Sequence, residues 1–431
     1  MNNNYQNGRR SGAPVRSQTN ERLPQQKGGA VVQLSGRALR QKQKDDQWKR
    51  EDKKLERVRH GIDRPMLAIL FTILLLGSIM VFSASFPSAY ILTKDHDSFH
   101  FIKNHLIYAG IGCAAMFGMS FLPINFYKKF TPALYLFSIF LLILVFFVGT
   151  SEGVAKRWIF IGSQISFQPS ELAKAAVILM LAWYFDKNYE KVNNPIDKKS
   201  TIVDGVLKPA VIMGIICVLV IAEKHLSGTM IIAMISVCVI FLGGAHIGYT
   251  IGIYLTAGIT AFGLFLAIFD YARERVSTFF SPEADVLGAD WQTTQGLYAI
   301  GSGGFLGVGL GDSRLKYNYV SEPQNDFIFT IWCEEMGFIG AVIVIFLYAL
   351  FIWRGFTIAK KAPDTYSSLV AFGITCQVGI QAFLNMMVVT DLMFNTGISL
   401  PFFSYGGSSL LILLCEMGIL FSISRHSYQK K

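Results

Sequence analysis

Residues 131–149 read TPALYLFSIFLLILVFFVG, nineteen positions without one Asp, Glu, Lys, Arg or His. A helix of that length covers roughly the 30 Å of a bilayer's hydrocarbon core. Working outward, the run 65–84, PMLAILFTILLLGSIMVFSA, is of the same kind. So are 105–123, 169–186, 207–222, 228–244, 249–268, 326–353, 366–388 and 402–422. The pattern predicts an all-α polytopic membrane protein with about ten transmembrane helices. Composition points the same way. Of 431 residues, 52% are hydrophobic and only 16% charged, with a mean hydropathy of +0.42. Soluble domains carry about one quarter charged residues, so a string of soluble domains, a disordered chain and a disulfide-stapled scaffold are excluded. The first apolar run starts near Pro65, too late and too long for a cleaved leader. Cys113, Cys217, Cys238, Cys333, Cys376 and Cys415 all sit in apolar stretches without a CxxC pair, and are expected to be small buried hydrophobes.

The net charge of +10 is uneven. Residues 1–64 hold 16 Lys and Arg against 7 Asp and Glu, whereas the remaining residues hold 23 against 22. Nucleic acid is the usual partner of a basic tail, but this one runs straight into a span, and cytoplasmic flanks carry Lys and Arg. Residues 1–64 are therefore expected to form a disordered cytoplasmic tail near anionic lipid, with a charged interfacial helix over 41–59 and no nucleic-acid partner. Residues 65–424 form the membrane domain and 425–431 a second cytoplasmic tail. The pair 207–222 and 228–244 is short and interrupted by Glu223, Lys224 and His225. Merging it into one span would flip everything downstream, and the positive-inside bias alone does not decide between the two. With ten spans both termini are cytoplasmic, and the large loop 269–325, between the seventh and eighth spans, is extracellular. A loop of that length tends to be functional.

Nine basic residues then lie outside, against the usual bias: Lys94, Lys103, Lys156, Arg157, Lys224, Arg273, Arg275, Arg314 and Lys316. They suggest an anionic ligand such as a lipid-linked diphosphate, whose oxygens Arg and Lys clamp; the plain alternative is loop charges paired with Asp and Glu. Asp326 opens an apolar helix after Ser321-Glu322-Pro323-Gln324-Asn325. It is either a dipole-favoured cap or a general base for a sugar hydroxyl, with Glu322 as a second candidate or a companion that raises the Asp326 pKa. Glu171 and Lys174, three apart on the fourth span, can pair. Glu334 and Glu335 either face an aqueous cavity or belong to a surface segment, with the span beginning near Met336. Glu416 has no evident partner. The glycine-rich run 301–311 lacks a GK[ST] and is read as close backbone packing rather than a phosphate loop. The run that starts at Ser404 is read mainly as helix packing.

These pieces, in order along residues 65–424, resemble the SEDS family (shape, elongation, division and sporulation), in particular its FtsW and SpoVE branch. They are Gly153 to Ile159, Gln168 to Lys174, Gly228-Thr229, Tyr271 with Arg275, and Gln292 with Gln295. They continue with Ala299 to Gly304, Gly307 to Gly311, Glu322 to Phe329, Glu334-Glu335, Thr396-Gly397 and Leu400 to Ser409. The chain departs from the family pattern at Ser321-Glu322, at Phe394-Asn395 and at Lys224 to Ser227. The resemblance implies ten spans with both termini inside. It implies a peptidoglycan glycosyltransferase of the bacterial plasma membrane that polymerises lipid II, and it makes Asp326 the essential acid. It also implies a class B penicillin-binding protein and other division or elongation proteins as partners, and it puts Glu171 and Lys174 in a central cavity. The expected diphosphate and cavity set is Lys156, Arg157, Glu171, Lys174, Arg275, Lys316, Glu322 and Ser404, with or without a divalent cation (Mg or Mn). The rival expectations are a lipid II flippase lined by Glu171, Lys174 and Glu416, and a scaffold that only recruits the synthase.

Overall fold

The computed structural model describes residues 61–93, 96–152, 155–161, 165–192, 202–280, 291–317, 319 and 322–427. The expected N-terminal tail and interfacial helix, Lys94 and the loop segment 281–290 lie outside them.

The chain enters its first helix, α1 (Arg64–Leu92), where the Asp63 carboxylate accepts the Met66 N–H at 3.0 Å and Pro65 fills the first turn. Helices α2 (His100–Phe121) and α3 (Ile124–Val148) meet at Pro123, which cannot continue a helix. An antiparallel sheet follows, with β1 (Thr150–Glu152), β2 (Ala155–Ile161) and β3 (Ile165–Phe167) in the order β1-β2-β3. Then come α4 (Pro169–Lys187), a single turn Tyr189–Val192, α5 (Val203–Ala222), α6 (Leu226–Leu242) and α7 (Ile247–Ile268). Two short helices, α8 (Asp270–Phe280) and α9 (Trp291–Ser302), occupy the predicted large loop. The chain closes with α10 (Ile328–Lys360), α11 (Thr365–Val389) and α12 (Gly407–Arg425).

Ten of these helices coincide with the ten predicted spans. Seven are long and apolar enough to cross a membrane by length and composition, namely α1, α3, α5, α7, α10, α11 and α12. Helix α6 is apolar but has 17 residues. Helices α2 and α4 carry polar groups that turn inward, among them His105, Glu171 and Lys174.

Helix α4 is the hub, packed by α3, α5, α6 and α11, while α12 lies along α2 and α1 along α10. By contrast α7 buries only Thr250, Tyr254 and Phe265, and exposes Leu255, Ile259 and Leu264. So large an apolar flank suits lipid, not water.

The pair α5 and α6 is an antiparallel hairpin. A Cβ on Gly205 would lie 3.7 Å from Ala245 Cα, so the start of α5 sits beside the end of α6. The chain reverses at Lys224, which takes a left-handed φ of 57°. The single merged span is therefore excluded.

Helix α10 is broken at Gly337 (φ 65°, ψ −164°), a conformation that essentially only glycine adopts. The break frees backbone groups, and the glycine run takes them up. Val308 and Gly309 donate their N–H groups to the carbonyls of Glu334 and Glu335, and Phe338 N–H donates to Gly304 O. Close backbone packing is therefore what the run does. Ile328–Met336 becomes a separate segment, and the long apolar helix starts beyond it. The segment is buried rather than at the surface, however, with Glu334 and Glu335 only 2% and 1% exposed, so the surface placement of the two glutamates is corrected. At the opposite end of α10, Arg354 makes a two-pronged ion pair with Asp63 (2.9 and 2.7 Å).

Candidate active site

Asp326 lies in the turn that precedes α10, outside the helix proper. The N-cap of α10 is Phe327, with no side-chain cap, so the bland capping role is not the one Asp326 plays. Its position is fixed by its own backbone. Asn385 of α11 donates its side-chain N–H to the Asp326 carbonyl at 2.7 Å and to the Ile398 carbonyl at 2.6 Å. The carboxylate faces the turn 395–398, where a Cβ on Gly397 would sit 3.6 Å from Asp326 Oδ2. Arg275 of α8 reaches the same turn and donates to Asn395 O at 2.8 Å. Asn395 in turn donates to Gln292 of α9 at 3.3 Å.

Half-buried, the Asp326 carboxyl is pushed up to about 6. Burial is the main cause, opposed by the nearby N–H groups of Asp326 and Phe327; Glu322 raises it further, while Arg275 pulls it down. Glu322 is exposed, sits at a left-handed φ of 45° and accepts from Asn325 Nδ2 at 2.7 Å. It is the companion charge that the sequence allowed for. An acid poised near neutrality beside a cation can take a proton from a hydroxyl.

The turn 395–398 also binds the tip of the α5–α6 hairpin, since Ser227 Oγ donates to Thr396 O at 2.5 Å. His225 at this tip lies 3.2 Å from Ser170 Oγ and 3.4 Å from Gln168 Nε2. A Cβ on Gly228 would come within 2.6 Å of the His225 ring, so the ring fits only because glycine follows it. Glu223, at the start of the same turn, is 2% exposed. Arg157 of β2 is half-buried and bears electrostatically on both Glu223 and His225. The Lys156 side chain lies outside the described residues.

Deeper, Glu171 and Lys174 form a buried ion pair at 2.9 Å, and Lys174 also donates to Gln381 at 3.3 Å. Glu416 has a partner after all: Gln377 donates to both its oxygens at 3.1 and 2.9 Å. Gln377, Gln381 and Asn385 are spaced four apart on α11 and therefore share one face. That polar stripe inside an apolar run was the available signal for Asn385, which sequence reasoning passed over.

Two expected ligand-binding residues are engaged elsewhere. Lys316 is buried, and its ammonium group donates to Glu335 (3.0 Å), Ser83 (3.1 Å) and the Gly311 carbonyl (2.6 Å). Its charge neutralises a carboxylate rather than facing a phosphate. Ser404 is likewise buried, its hydroxyl accepting the Leu400 N–H at 2.8 Å to close a turn before α12. The structure thus brings together Asp326, Glu322 and Arg275 around one turn, and Arg157, Glu171 and Lys174 around the adjoining hairpin tip. It leaves Lys316 and Ser404 out of both groups.

Stage V sporulation protein E of Bacillus subtilis is 39% identical to this chain over 369 residues, covering 84% of this chain and 97% of that protein. A probable peptidoglycan glycosyltransferase FtsW of a Geobacter species is 35% identical, covering 84% and 97%. Among solved structures, a chain from work on polymerization and crosslinking by a peptidoglycan synthase complex superposes with a TM-score of 0.68 at 26% identity. It covers 84% of this chain and 98% of that one. The rod shape determining protein RodA of Thermus thermophilus shares the fold, with a TM-score of 0.61 over 85% of this chain and 98% of RodA at 24% identity. The family model described as "cell cycle protein", covering FtsW, RodA and SpoVE, matches residues 64–429. With these relatives and its apolar helices, the chain is a multi-pass protein of the bacterial cell membrane, and it belongs to the FtsW/RodA/SpoVE family.

Proposed function

We propose that this chain is a peptidoglycan glycosyltransferase that polymerises lipid II into β-1,4 glycan strands, with Asp326 as its general base. One observation carries the role of the acid. It is half-buried and raised to about 6 at the head of a broken helix, and its backbone is held by Asn385. Asp326 takes the proton of the acceptor's C4 hydroxyl. That oxygen attacks C1 of the donor's muramic acid, and undecaprenyl diphosphate leaves. A single displacement inverts the anomer and yields the β link. Arg275 stands beside the acid, and Arg157 at the adjoining tip; we assign them to the diphosphate oxygens, where charge builds as the bond breaks.

Among the described residues no three His, Cys, Asp or Glu side chains converge. A divalent Mg or Mn ion would be carried by the diphosphate oxygens, which leaves Asp326 to act as the base. The likeness to a complex that couples polymerization to crosslinking supports a crosslinking partner, which we assign as a class B penicillin-binding protein.

The test uses the purified complex with lipid II and glycan-chain gels. Asp326→Asn is expected to abolish chain formation while the partner still co-purifies. Full polymerisation by that variant would remove the general base.

A further inference from the structure

Buried carboxyls in this interior come with partners. Glu171 has Lys174, Glu416 has Gln377, Glu335 has Lys316 and Ser83, and Glu334 has Ser313 and the Arg314 N–H. Glu223 stands apart. It is 2% exposed, yet among the described residues neither of its oxygens has a hydrogen-bond partner. A buried polar group left open in this way calls for a missing partner.

Its place in the fold narrows the choice. Glu223 opens the three-residue turn between α5 and α6, beside Arg157 of β2. The same turn leads to Ser227, which is bonded to Thr396, next to the Gly397 that faces Asp326. We propose that Glu223 is a second substrate-binding residue, a neutral carboxylic acid that donates its O–H to a phosphate oxygen of the lipid-linked diphosphate held by Arg157. The proposal rests on the glycosyltransferase reading above and extends it.

The chemistry fits. Burial pushes the Glu223 carboxyl up to about 8, with Arg157 pulling the other way. At neutral pH the group therefore keeps its proton and is a donor. An O–H to an anionic oxygen is a strong hydrogen bond, whereas a carboxylate at that point would repel the phosphate. The charge that bears on Glu223 is Arg157 on β2; Lys224 follows it in the turn, and Lys174 on α4 acts on the neighbouring His225. His225 is neutral, since burial, Arg157 and Lys174 together hold it near 3.

The test is the pH profile of kcat/KM for lipid II with the partnered protein. The wild type is expected to rise through about pH 6, as Asp326 loses its proton, and to fall above about pH 8, as Glu223 loses its own. Glu223→Gln keeps a weaker donor that cannot ionise. It should cost about threefold to tenfold in kcat/KM at neutral pH and remove the alkaline fall, leaving the acidic rise. Glu223→Ala should cost about tenfold to a hundredfold, mostly in KM, again without the alkaline fall. Persistence of the fall near pH 8 in Glu223→Gln, or an unchanged KM in Glu223→Ala, overturns the proposal. If Asp326→Asn is nonetheless silent, the polymerase reading survives that failure; if Asp326→Asn polymerises, it does not.

Discussion

Other residues hold Asp326 in place without neutralising it. Its carbonyl is gripped by Asn385, its carboxyl faces a glycine, and the cation that bears on it, Arg275, spends a hydrogen bond on Asn395 O. Lys316 shows the opposite arrangement. Its ammonium and Glu335 are both almost fully buried and answer each other at 3.0 Å. Removing one partner of such a pair costs about 3–5 kcal/mol, whereas replacing both with apolar groups is often neutral. Lys316→Met alone should therefore lower the unfolding midpoint sharply in detergent, and Lys316→Met with Glu335→Leu should restore most of it while lipid II turnover returns. A double variant that is stable but no longer binds lipid II would restore Lys316 to the diphosphate. The residue type of Lys316 was legible in the sequence, but its partners were not, because Glu335 lies 19 positions on and Ser83 lies 233 positions away, and the three meet only through the fold.

At the scale of elements, the apolar periods foretold all ten long helices, because a twenty-residue apolar run has few other ways to satisfy its backbone in lipid. The three-stranded sheet over Thr150–Phe167 was not foreseen. Its strands are of three and seven residues, too short for alternation to stand out. The break in α10 was half legible. Two adjacent glutamates at the head of a span signalled a separate segment, but nothing local marked Gly337 as the pivot. A side chain there meets Gly307 N at 2.3 Å and needs a left-handed φ. Gly337→Ala should cost at least about 1–2 kcal/mol from backbone strain alone, with the close contact adding to it. A thermal-unfolding series should show this loss, while Gly301→Ala, where a Cβ meets nothing within 4 Å, should lie close to wild type.

For the whole molecule, charge bias left the orientation downstream of α6 open, and the hairpin geometry removes the merged alternative. On the ten-span reading, the loop carrying Arg275 and Asp312 is expected on the side opposite Lys361. The six cysteines are buried or half-buried, so new ones can be read against a low background. Asp312→Cys should react with a membrane-impermeant maleimide in intact spheroplasts, and Lys361→Cys only after permeabilisation. The reverse pattern would put the acid in the cytoplasm and end the polymerase scheme. The flippase alternative fares less well in this frame, because Glu171, Lys174 and Glu416 answer one another and Gln377 and Gln381 rather than lining an open polar route.

The clasp made by Asn385 has a pharmacological corollary. One amide on α11, wholly shielded from solvent, sets the register of both the reactive turn and the segment facing it. An inhibitor need not compete with sugar or diphosphate to silence such an enzyme. A small hydrophobic wedge that prised α11 from α10 from within the bilayer would shift the acid out of line, and resistance to it would map to helix flanks far from the reacting atoms.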